Sequence, residues 1–405
     1  MLDLVERPLG QPGWSKAVTR SDQPEQKRLE ALLLDPDAGW SVERLDLRYP
    51  GAAEAIDCGE FVVSEIGDID GDGRPEIVFA VTPTDAPSYL LAYRYERGTW
   101  RAEPIYRDFK SADFIRSVAL GDLDGDGCDE IVIGTRPDGT IVLFDRGPSG
   151  YTAELIDTQQ QGAKNSNIRE VAIGDIGNTG QLDIFAASAR ANEPVKWDRV
   201  PGFIFRYRKT DTGWERSVIE DHDGQTHTRM LRIGKVHGVE QAVSCAVGVH
   251  DREHQRIDPE PVLQMHRLNA DGSVKHETIG VLERAIKSRS LVIGDIDGDG
   301  ENELVLGTRS LGFADYGETF LYVFKYDAAA GAWTRQTLDT SEPLGFHCVT
   351  LADLDGDGRL AVIASDDGKG EIKAYRFRDG AWQSEVILSR PNFLFVNAMS
   401  MIDCS

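Results

Sequence analysis

The chain has 405 residues and a formal net charge of −24, with 44 Lys and Arg against 68 Asp and Glu. Its length allows two or three ordinary domains or one large repeat domain, and 40% hydrophobic residues supply a full core. The acidic excess argues against nucleic acid as a partner, because phosphate contacts need clustered Lys and Arg. No run of about 18 apolar residues exists, so no membrane partner is expected.

The first stretch, "MLDLVERPLGQPGW", lacks a basic segment followed by an apolar one, so a cytoplasmic location is expected, with a secreted mature form as the alternative. Five scattered cysteines with no CxxC pair agree with a reducing compartment. Residues 1–39 read as an extension carrying a short helix over "SDQPEQKRLEALLLDP". Ser21 or Asp22 would cap it, and Leu29, Leu32 and Leu33 would form its apolar face. "WSVERLDL", from Trp40, reads as a strand.

From there to residue 405 the chain repeats. "GDIDGDGRPEIVFA" starts at Gly67, "GDLDGDGCDEIVIG" at Gly121, "GDIGNTGQLDIFAA" at Gly174, "GDIDGDGENELVLG" at Gly294 and "ADLDGDGRLAVIAS" at Ala352. A degenerate copy, "GKVHGVEQAVSCAV", starts at Gly234, making six units with periods of 53 to 60 residues. In each unit an alternating strand leads into the acidic loop, two β-branched runs follow, and a fourth strand opens on an aromatic such as Trp100, Trp214, Trp333 or Trp382. Four short strands per period, divided by Gly and Asp turns, describe a propeller blade.

The loop pattern D-x-D-x-D-G-x-x-[DE] sets carboxylates at positions 1, 3, 5 and 9, which suit one hard cation of calcium size. Asp68, Asp70, Asp72 and Glu76 make a full set, as do Asp122, Asp124, Asp126 and Glu130, and Asp295, Asp297, Asp299 and Glu303. Asp353, Asp355 and Asp357 make a weaker one, since Ala361 holds the ninth place. The third loop keeps only Asp175 and Asp183, and the fourth has Lys235, His237 and Val243, so little calcium is expected in the third and none in the fourth.

On these loops the chain resembles the FG-GAP/VCBS repeat family, found in integrin α-subunit propellers, fungal propeller lectins and some propeller lyases. The resemblance spans roughly residues 40–405. It implies an all-β, seven-bladed propeller stabilised by calcium and specifies no activity. "VNAMSMID", from Val396, aligns with "FHCVTLAD" as a seventh inner strand, so the closing blade is expected to be shared between the two termini. The source of its two middle strands is not evident in the sequence.

Strand alternation places the acidic loops on one face of the disc and the starts of the inner strands on the other. Those starts align Arg116, Arg169, Arg229, Arg289, His347 and Asn397 at one repeat position, broken only by Val62. Such a ring is a local anion site inside an acidic protein, or a set of pairings with acids of neighbouring blades. The long loops on the same face carry Trp197, His250, His254 and Tyr316, and His222 and His227 precede the fourth inner strand. A transition metal among His222, His227, His250 and His254 is a further expectation, weak without a third fixed ligand. His266 and His276 read as structural residues of outer strands.

The preferred reading is a binding propeller. A carbohydrate or other polar, anionic small molecule would sit at the channel mouth, anchored by Arg116, Arg169 and Asn397 and stacked on Trp197 or Tyr316. The alternative is a carbon–oxygen lyase or sugar dehydratase. There His227, His250, His254, His347 or Tyr316 would move protons, and Arg229 and Arg289 would stabilise an enolate. A protein–protein platform is the third reading.

Overall fold

A computed structural model describes residues 61–399 apart from 84–86, 97–98, 108, 110–113, 159–165, 191–201, 223–225, 252–255, 284–285, 311–317, 343 and 390–393. It also describes three strands nearer the N-terminus. These are β1 (Leu2–Glu6), β2 (Lys27–Asp35) and β3 (Gly39–Leu45). The first blade comprises β4 (Phe61–Gly67), β5 (Glu76–Thr82), β6 (Tyr89–Glu96) and β7 (Thr99–Tyr106). The second comprises β8 (Phe114–Gly121), β9 (Glu130–Arg136), β10 (Thr140–Gly147) and β11 (Gly150–Thr158). The third runs through β12 (Ser166–Gly174), β13 (Asp183–Arg190), β14 (Gly202–Thr210) and β15 (Gly213–Asp221).

The fourth blade has β16 (His227–Val236), β17 (Val239–Val247), β20 (Val262–Leu268) and β21 (Val274–Val281). A separate small hairpin, β18 (Val249–Asp251) and β19 (Arg256–Asp258), lies between its second and third strands. The fifth blade holds β22 (Ile286–Gly294), β23 (Glu303–Ser310), β24 (Thr319–Asp327) and β25 (Ala332–Ser341). The sixth holds β26 (Phe346–Ala352), β27 (Ala361–Asp366), β28 (Glu371–Arg378) and β29 (Ala381–Ser389). The last strand is β30 (Leu394–Met399).

The protein is therefore an all-β propeller of four-stranded antiparallel blades, and six blades, rather than seven, are built from consecutive strands. The remaining arc holds a sheet drawn from both ends of the chain, in the order β30, β1, β2, β3. Inner strands touch in the order β4, β8, β12, β16, β22, β26 and β30, and β30 returns to β4. Of the helix expected over residues 21–36, the described portion, Lys27–Asp35, is strand β2 instead. An isolated helix of that length is marginal in water, whereas a strand between β1 and β3 pairs its backbone on both sides. Among the described residues no helix is long and apolar enough to cross a membrane.

The core lies in the seams between blades. Val132, Ile141 and Leu143 of the second blade pack with Ile168, Ile184 and Phe205 of the third, and the same layering joins the fourth blade to the fifth. Second strands such as β5 and β23 are buried throughout because a blade covers each face, while outer strands such as β11 and β29 expose most residues. Close seams require glycine at Gly134 and Gly307, where a Cβ would come 2.4 Å from Ile168 Cγ2 and 2.7 Å from the Phe346 carbonyl.

Candidate functional site

Each inner strand of blades two to five carries one extra residue opposite its partner, and in every case that residue is the ring arginine. Ile115 pairs with Thr135 and Ser117 with Gly134, which leaves Arg116 as the bulge. Arg169, Arg229 and Arg289 are skipped in the same way. In β26 the shift spans His347 and Cys348, and in β30 it spans Asn397 and Ala398. The first blade, which has Val62 there, pairs without interruption. A bulge turns a side chain out of the alternation of the strand, here toward the axis.

The ring is one electrostatic cluster. Arg169, Arg289 and Arg116 all act on Arg229, and Arg289, Arg309, Arg229 and Lys287 act on His347. Burial, then like charge, holds Arg229, Arg116 and Lys287 far below their ordinary ranges, and burial pushes Arg169 down to about 10 against the opposing charge of Glu170. Burial likewise brings Arg289 down to about 10, with Arg169 adding to it and Asp367 opposing. Arg229 Nε donates to the Ser288 carbonyl at 2.9 Å, whereas among the described residues the buried Nε of Arg289 has no hydrogen-bond acceptor. Deeper in the axis, Glu170 accepts from Arg232 at 3.1 Å, and Glu65 lies near both. Asp367 stands 3.4 Å from His347 Nδ1, and both are buried. Burial and these cations keep His347 neutral, well below the usual imidazole range.

The sequence reading missed Lys287, Arg136, Arg309 and Asp367. The last three share one repeat position, six residues after the ninth place of the acidic loop, so the same alignment contains the signal. Arg136 also covers the Phe114 ring at 4.2 Å. Of the other expected residues, Trp197, His254 and Tyr316 lie outside the described residues, as does the side chain of His250. His222 is buried and shares a 2.8 Å hydrogen bond with Thr228 Oγ1. Among the described residues, His222 and His227 belong to no group of three convergent ligands.

On the opposite face the acidic loops close as their letters require. Asp122 accepts the Gly125 and Gly127 amides at 2.7 and 3.1 Å, and Glu130 accepts the Leu123 amide at 2.6 Å. Ligand oxygens of Asp122, Asp124 and Glu130 converge, as do those of Asp68, Asp70 and Glu76, and those of Asp295, Asp297 and Asp299. Burial pushes Glu76, Glu130 and Glu303 up to about 7.

The loops differ in what faces them. Lys325 Nζ pairs with Asp297 and lies 2.7 Å from Asp299 and 3.2 Å from Glu303. Arg94 pairs with Asp70 and lies 3.6 Å from Glu76, and Arg376 lies 3.1 Å from Asp355. Arg208 bonds Asp183 in the third loop at 2.8 Å. These bases share one position of the third strand, and the second blade has Asp145 there, adding negative charge beside Glu130. In the fourth loop, His237 packs on Tyr326 and Trp333 of the fifth blade, with ring centroids 4.2 and 5.6 Å apart.

Residues 68–133 match the FG-GAP-like repeat family model, as the acidic loops led one to expect. No curated protein matches the chain. Among solved structures, a putative 6-phosphogluconolactonase from Bacteroides uniformis is similar over 98% of this chain and 99% of its own, with 13% identity and a TM-score of 0.50. A protein from Lactobacillus plantarum aligns over 76% of this chain and 78% of its own, at 14% identity and a TM-score of 0.47. An α-L-arabinofuranosidase from Fusarium graminearum aligns over 67% and 80%, at 11% identity and a TM-score of 0.41. At these identities the likeness is one of fold.

Proposed function

We propose that this is a calcium-stabilised propeller that binds a polar anionic ligand, a sugar bearing carboxylate or phosphate, at the bulge ring. The observation that carries the reading is a set of partly exposed cations at the bulges of successive inner strands, whose like charges act on one another. A bound anion relieves the repulsion among these like charges, and Arg169, Arg229 and Arg289 carry guanidinium groups suited to two-pronged contacts. Trp197 and Tyr316 are the stacking groups of this reading, and Asn397 is a further anchor in it.

Calcium fits the second loop best, where carboxylates converge and, among the described residues, no base pairs with them. Asp122, Asp124, Asp126 and Glu130 would hold it, and the ion would supply structural charge neutralisation only. In the first, fifth and sixth blades a Lys or Arg must first withdraw.

The test is calorimetric titration with sugar acids, sugar phosphates and uronate oligomers, at low and high salt. The wild type should bind one of these classes, more weakly as salt rises, and Arg229→Ala should lose about tenfold or more in affinity. Equal binding by wild type and variant would remove the ring from the function. A second reading, a lyase, is favoured by the neutral His347 beside Arg289, a base next to a cation that would stabilise an enolate. It requires an unsaturated product, followed by ultraviolet absorbance, that His347→Gln no longer forms.

A further inference from the structure

Away from the ring, three side chains meet at the outer seam of blades three and four. His266 on β20 and His276 on β21 are directly paired across their hairpin, and Glu220 reaches them from β15. His266 Nδ1 lies 2.9 Å from His276 Nδ1, and Glu220 Oε2 lies 2.8 Å from His276 Nδ1 and 3.7 Å from His266 Nδ1. Three electron-pair donors thus face one point.

Hydrogen bonds alone serve this arrangement poorly. His266 is fully buried, and its Nε2 is 2.8 Å from Ser244 Oγ. With the proton on Nε2, donated to Ser244, the Nδ1 of His266 is a bare lone pair. His276 Nδ1 then has one proton for two acceptors, His266 and Glu220. A divalent ion takes all three pairs at once. Bonds of about 2.0–2.2 Å set adjacent ligand atoms about 2.8–3.5 Å apart, close to the separations found here. The Ser244 contact is the outer-shell partner that fixes a ligating imidazole in the required tautomer. Glu220 and His276 are partly exposed, which gives the ion an entry path.

We propose that Glu220, His266 and His276 form a site for zinc or a similar borderline transition ion, with one position open to water, that clasps the third blade to the fourth. The clasp stands on the blade whose acidic loop has Lys235 and His237 in place of carboxylates, so that blade gains a metal tie at its rim instead of its loop.

The test uses the full chain, stripped with chelator and then saturated with calcium. Cobalt(II) is titrated as a spectroscopic probe, and zinc by calorimetry. The wild type should bind one equivalent with visible absorption of a four- or five-coordinate ion, and zinc should raise its melting temperature. His276→Ala and Glu220→Gln, both at accessible positions, should weaken binding at least about tenfold while keeping the calcium response. His250→Ala/His254→Ala should bind as wild type does. No binding by the wild type, or an unchanged spectrum in both His276→Ala and Glu220→Gln, overturns the proposal. Loss of the site only in the His250/His254 variant overturns it as well, placing the ion on the loop.

Discussion

A guanidinium crowded by other guanidinium groups costs stability, and Arg289, whose Nε has no acceptor among the described residues, is the plainest case to test. Replacing it by Leu should leave the melting point of the ligand-free protein unchanged or raise stability by about 1 kcal/mol, while anion binding falls. Calorimetry of the two proteins, with and without ligand, reads both effects. A marked drop in the melting point would mean that Arg289 is structural. His347 gives a pH signature at the same scale. Its folded pKa lies well below the ordinary 6.5, so the unfolded chain takes up a proton that the native state refuses. Stability is full above about pH 6.5 and falls as pH drops through that value, by up to about 1.4 kcal/mol per unit. Melting curves at pH 7.5 and 5.5 should show a steeper loss for wild type than for His347→Gln, and parallel curves would refute it.

At the scale of the element, the acidic loop and the third strand facing it act together. Lys325 already supplies a positive charge to Asp297, Asp299 and Glu303, so calcium must displace it. Lys325→Met should therefore add a calcium site, measurable as one further equivalent by calorimetry. Asp145→Lys should conversely weaken the second loop, and identical stoichiometry in both variants would end this account. The loops were legible in the sequence because their chemistry is local: Asp, Gly and Asp at fixed offsets make the turn. The bases facing them were not, since Arg94 and Lys325 are distant in sequence and meet the loops only through the hairpin register. Bulges escaped for the same reason, although Arg116, Arg169, Arg229 and Arg289, where the register shifts, share one repeat position in the sequence. Leu29, Leu32 and Leu33 fit a helical face, while the apolar run they belong to also fits a strand, and only the partners β1 and β3 decide between them. That Glu220 meets His266 and His276 was not legible, because Glu220 comes from another blade.

For the whole molecule, closure governs stability. Seams carry the core, so each blade is covered only while the ring is complete. Removing residues 394–405 deletes β30, which opens the hydrogen-bonding edge of β1 and strips packing from β4 and β26. Such a chain should aggregate or melt well below the full protein, as light scattering on heating would show. Equal melting points for the two would refute the closing role of the terminal sheet. Chelator should lower the melting point of the intact chain in a single transition, because seams link every loop to its neighbours; an unchanged midpoint would remove calcium from the account.

The pairing of β1 with β30 also has a consequence for synthesis. At ordinary elongation rates, about 20–80 s separate the emergence of the first strand from that of the last. Throughout that interval β1, β2 and β3 lack the inner strand that completes their sheet, so their hydrogen-bonding edge is open to other nascent chains on the same message. Factors that bind extended segments at the ribosome exit should therefore engage β1, β2 and β3 longest, and release them only once β30 has emerged.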